Sequence, residues 1–99
     1  MIRSLLNYKS MRIKQQYKLR TIAGEEVIFI QGKVGVDTNK VLSFNESAIW
    51  LWEEIHSKDF SEEEVAEILF EHFDIEREQA LQDAKEFIST LQKFNIIEE

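Results

Sequence analysis

VLSFNESAIWLWEEI, residues 41–55, is where the hydrophobic period of this chain changes from two to 3.6. A short apolar strand, Lys40–Phe44, runs into a helix, with Asn45, Glu46 and Ser47 at the junction. Asn45 has the side chain of a helix N-cap, and Glu46 falls in the first turn, where a negative charge suits the helix dipole. An alternative start pairs Ser43 with Glu46 as a capping box. Ala48, Ile49, Leu51, Trp52 and Ile55 share one broad face, while Trp50 points nearly opposite Ala48. Trp50 reads as a rim aromatic, or as a contact for a partner or a second subunit, because large aromatics are enriched at interfaces.

Upstream of this junction the pattern is that of a sheet. Tyr17–Ala23 alternates, with Tyr17 and Leu19 on one side and Lys18 and Arg20 on the other, as in a half-buried strand. Gly24, Glu25 and Glu26 supply a turn. Glu26–Gln31 is rich in β-branched and aromatic residues and reads as a second strand, antiparallel to the first. Gly32–Asn39 is turn-rich and is read as a loop or a short extra strand. Met1–Ser10 has no clear period and is read as a flexible N-terminal extension, so the folded domain is expected to span residues 11–99.

Downstream the pattern is helical. His56–Phe60 is a connection. Ser61 and Glu64 form a capping box, and Val65, Ala66, Ile68, Leu69 and Phe73 make the apolar stripe of a second helix. A third helix from about Glu76 to Phe94 carries Ala80, Ala84, Phe87, Ile88, Leu91 and Phe94 on one face. Asn95 suits the left-handed position that ends a helix, and Ile96 and Ile97 then fold back onto the core. The expected class is α+β: a three-stranded antiparallel sheet, followed by three helices bundled on one of its faces.

Composition narrows the function. The chain has 99 residues, 43% of them apolar, which suits a single folded domain. It has no cysteine, so disulfides, thiolate metal sites and cysteine nucleophiles are excluded. No apolar run approaches the roughly 18 residues of a membrane span, and the expected location is cytoplasmic. The net charge of −7 is unevenly spread, with a basic strand half and an acidic helical half. Helices entering a nucleic-acid groove need basic residues, so nucleic acid is not the expected partner. His56 and His72 lack metal-ligand spacing, and no phosphate-cradling loop precedes a helix. No pair of carboxylates is singled out for acid–base chemistry. The chain is therefore read as a binding module rather than an enzyme, with no cofactor and no metal.

The stretch LSFNESAIWLWEEI resembles the strand-to-helix motif of the PqqD family, with Asn45, Glu46, Ser47, Ala48 and Trp52 matching. The likeness continues through Phe73 and Asp74, and through Asp83, Phe87, Ile88 and Leu91 of the closing helix. It covers about Met11–Glu99. Ser47 stands where the family usually has Thr, and Asn95 where it usually has Gly. The resemblance implies a winged-helix-like domain that recognises the leader of a ribosomally made precursor peptide by strand addition. Such a domain presents the peptide to a modifying enzyme, often a radical SAM protein, as in PQQ biosynthesis or peptide natural product biosynthesis.

Carried over, the pairing edge is Lys40, Val41, Leu42, Ser43 and Phe44. The groove draws on Ala84, Phe87, Ile88 and Leu91, with Lys85, Ser89 and Gln92 on its flank. Phe87 and Leu91 also belong to the stripe that must hold the bundle together. The strand edge suits main-chain pairing independently of the resemblance. The strand edge and Trp50 also leave room for a homodimer. The alternative is a winged-helix nucleic-acid-binding or regulatory protein.

Overall fold

The computed structural model describes residues 10–30 and 40–99. The chain is α+β, in the order β1 (Arg12–Ile13), β2 (Leu19–Ile22), β3 (Glu25–Ile30), β4 (Lys40–Ser43), α1 (Glu46–Ile55), α2 (Glu62–His72), α3 (Arg77–Lys93) and β5 (Ile97–Glu98). Strands β2, β3 and β4 form an antiparallel meander in that order. Leu19, Ile28 and Leu42 stand in one row across it and face the helices, as the buried Ile28 shows. Residues 1–9 and 31–39 lie outside the described residues, and with them the expected Met1–Ser10 extension, save Ser10, and the expected Gly32–Asn39 loop.

The β2–β3 hairpin closes on a two-residue turn. Ala23 and Gly24 both have positive φ, 51° and 83°, the pair of values a type I′ turn requires. Glycine takes this conformation freely, whereas alanine is strained there. β2 is less buried than its alternation suggests: Thr21 is exposed, and Ile22, facing away from the helices, is 50% exposed.

Helix α1 starts where expected. Asn45 Oδ1 accepts a hydrogen bond from the Ala48 amide at 2.9 Å. The alternative cap is not formed: Ser43 Oγ lies toward Glu25, 3.5 Å away across the sheet. Leu51, Trp52 and Ile55 are buried from this helix. Ser61, itself fully buried, caps α2 in a reciprocal box with Glu64, at 3.2 and 3.1 Å. Helix α3 ends in a Schellman arrangement. The Asn95 amide donates to Gln92 O and the Ile96 amide to Leu91 O, with Asn95 at φ 59°. That reversal drives Ile96 and Ile97 into the core, where both are buried.

One element had no signature in the pattern. β1 and β5 pair antiparallel as a two-residue ribbon, with Arg12 opposite Glu98 and Ile13 opposite Ile97. Just before it, Met11 and Phe60 exchange main-chain hydrogen bonds of 2.7 and 2.8 Å. The ribbon thus ties the start of the described chain both to the α1–α2 connection and to the tail after α3. Met11, Ile13, Phe60 and Ile97 all join one core with Leu69, Ile88 and Leu91.

Asn45→Ala is expected to cost about 0.5–2 kcal/mol of stability through loss of the cap. Ala23→Asn is expected to raise stability by roughly 0.5–1 kcal/mol, because asparagine tolerates the left-handed turn position. Urea unfolding of both variants checks the two signs.

Candidate functional site

The junction brings strand, first helix and third helix together through aromatic rings. Phe44, the residue after β4, sets its ring edge-on to Trp52 of α1, at a centroid distance of 5.6 Å and 70° between planes. It does the same to Phe87 of α3, at 6.0 Å and 65°. Both arrangements place a positive ring edge against a negative ring face. Phe44 and Phe87 remain half-buried, whereas Trp52 is buried.

The exposed sides of Phe44 and Phe87 line a groove. Its first part, about 180 Å³, lies between β4 and α3 and touches Leu42, Ser43, Phe44, Phe87 and Thr90. Its second part, about 410 Å³, continues past the α1 N-terminus toward the end of α2. There it is walled by Ala48, Leu51, Phe73, Asp83, Glu86 and Phe87. Asn45, Ala48, Phe87 and Thr90 line both parts, so the two are continuous.

The β4 side of the groove is a sheet edge. Among the described residues β4 pairs only with β3, in the register Ser43–Val27, Leu42–Ile28 and Val41–Phe29. The Phe44 amide donates to Glu26 O at 3.0 Å, so Phe44 and Glu26 are a hydrogen-bonded pair. Such pairs alternate along an antiparallel ladder. Leu42 therefore turns its N–H and C=O toward β3. Val41 and Ser43 turn theirs outward, toward the open edge.

The residues expected at the site divide by face. Leu42, Ser43 and Phe44 line the groove. Val41 is 51% exposed on the opposite face of the sheet and reaches the edge by its main chain. Lys40 opens β4, opposite Ile30. On α3 the placement differs from expectation. Ala84, Ile88 and Leu91 are 0, 3 and 0% exposed and form the core stripe against α2 and the sheet. Lys85, Ser89 and Gln92 lie on another side of the helix, in a separate hollow with Met11, Glu62 and Glu63. The groove face holds the expected Phe87 together with Asp83, Glu86 and Thr90, at the i, i+3, i+4, i+7 spacing of one helical face, and the buried Leu91 also borders the part beside β4.

Trp50 finds an intramolecular partner. Its ring stacks on His72 at 3.7 Å with 16° between planes, and it meets Phe73 edge-on at 5.4 Å. This stack fixes the end of α2, whose Phe73 walls the groove. A roomier hollow, about 600 Å³, lies between β1 and α1 and is lined by Arg12, Lys14, Tyr17 and His56 among others. Two of its polar groups are already engaged. Arg12 Nε pairs with Asp59 at 2.7 Å, and His56 Nδ1 lies within 3.3 Å of the Trp52 and Glu53 carbonyls. Among the described residues, no three His, Asp or Glu side chains converge as metal ligands, and no helix is long and apolar enough to cross a membrane.

The model of one protein family, described as coenzyme PQQ synthesis protein D (PqqD), matches residues 33–97. The match takes in β4, all three helices and the start of β5, and so both walls of the groove. No curated protein and no solved structure matches the chain.

The division of α3 into core and groove faces can be checked by urea unfolding. Ile88→Ala is expected to cost about 2–5 kcal/mol, as a buried large-to-small change does. Thr90→Ala, on the groove face, is expected to stay within about 0.5 kcal/mol of the parent.

Proposed function

Because the chain belongs to the PqqD family, we propose that it is a non-catalytic peptide-binding module in the biosynthesis of a PQQ-type cofactor or peptide natural product. It holds the leader of a ribosomally made precursor peptide by strand addition along β4 and presents that peptide to a modifying enzyme, a radical SAM protein in the first instance. We place this work in the cytoplasm, with the module acting as a monomer or a homodimer.

The observation that carries this reading is that, among the described residues, β4 pairs on one side only, beside the groove. An added strand needs donors and acceptors that point outward, and Val41 and Ser43 turn theirs that way. It also needs somewhere to put alternate side chains. Side chains opposite Leu42 and Phe44 fall on the helix side of the sheet, against Phe87 and Thr90. Main-chain bonds then supply affinity, and the groove supplies selectivity. The nucleic-acid reading gains no support from α3, on which Glu78, Asp83 and Glu86 offset Arg77, Lys85 and Lys93 and leave no basic face.

The test is a titration of isotope-labelled protein with the leader peptide encoded next to its gene, followed by amide NMR shifts. The amides of Val41 and Ser43 are expected to move most, and unchanged positions there would sink the strand-addition mechanism. Val41→Pro removes an outward N–H without breaking the bonds to β3. It is expected to lower affinity at least tenfold, the scale of about 1.4 kcal/mol for one such bond. Leu42→Pro removes a bond to β3 and is expected to destabilise the sheet itself.

A further inference from the structure

We propose that the groove selects a cationic strand. The occupant sets apolar side chains at alternate positions against Leu42, Phe44 and Phe87, and carries a Lys or Arg just beyond them that pairs with Asp83 and Glu86. This rests on the peptide-binding reading above and adds the chemistry of the peptide.

The argument begins with direction. The part of the groove beside β4 meets α3 at Phe87 and Thr90, and the part beyond β4 meets it at Asp83 and Glu86, one turn nearer its N-terminus. One helical turn advances about 5.4 Å, and two residues of strand advance about 7 Å. A peptide laid along β4 and continued past Phe44 therefore brings its next groove-facing side chain to the two carboxylates.

The charge at that point is unbalanced. Among the described residues, neither part of the groove is lined by Lys, Arg or His. Asp83 accepts from the Gln79 side-chain Nε2 at 2.8 Å and Glu86 from the Gln82 side-chain Nε2 at 3.2 Å, both neutral donors. Two carboxylates elsewhere on the helical half have cations of their own: Glu67 has Arg77 at 3.1 Å, and Asp59 has Arg12. Among the described residues no such cation meets the groove pair, which leaves it for one from outside. A peptide with Asp or Glu at this position meets repulsion from two like charges, which narrows choice more than it adds affinity.

A phage-displayed library of random dodecamers, selected on the full chain, supplies probes whatever the natural client. The recovered peptides are synthesised with each Lys or Arg kept or replaced by Gln. The expected result is that one basic position dominates, and that its Gln version binds about fivefold more weakly. That difference should vanish in a protein carrying Asp83→Asn and Glu86→Gln. The parent protein gives an independent readout: raising salt from about 50 to about 500 mM should weaken the Lys peptide and leave the Gln peptide nearly unchanged. Peptides that move the Val41 and Ser43 amides but bind equally with Lys or Gln would overturn the charge preference and leave the site standing. Recovery of no peptide, or of peptides that leave those amides unmoved, would overturn both.

Discussion

Phe44 is held between two rings, Trp52 and Phe87, and the geometry of the molecule follows from that contact. One residue, Asn45, separates it from α1, so strand and helix cannot be repositioned independently. The cap fixes the chain direction at that point and the rings fix its depth. β4 is thereby set alongside α3. Aromatic pairs of this geometry contribute about 0.5–1.5 kcal/mol each beyond the area they bury. Here they join three elements, and they stay half-open on the side where the groove lies.

Much of this arrangement was readable from local chemistry. The Asn45 cap, the Ser61–Glu64 box and the Asn95 reversal each depend on residues within a few positions of one another. The same holds for the buried stripe of α3. The side of α3 that opens on a groove is different in kind. Phe87 and Ile88 are adjacent, both apolar, and about 100° apart on the helix. Which of them meets core and which meets groove depends on where β4 and α1 come to rest, and no periodicity encodes that. The same limit explains why Lys85 was expected at the site and stands elsewhere. The β1–β5 ribbon was illegible for a simpler reason: two-residue strands are too short to show a period.

Trp50 shows how an apparent surface signal can be internal. On a helical wheel it points away from the core face, as an interface residue would. In the fold it is covered by His72, the last residue of α2, and by Phe73. Phe73, held edge-on by Trp50, walls the part of the groove farther from β4, while Phe44 lines the part beside it. Apolar surface is still open on the outer face of the sheet, at Ile22, Phe29 and Val41.

The ribbon of β1 and β5 has a topological consequence. Arg12 stands beside Glu98, so the two ends of the described fold leave its body side by side. A linker of a few residues could join residue 99 to residue 10 and turn the fold into a closed ring. New ends could then be opened elsewhere, for instance at the α1–α2 connection, without disturbing β4, α3 or the groove between them. Adjacent ends of this sort are what allow a domain to be spliced into a loop of another protein while keeping its own core.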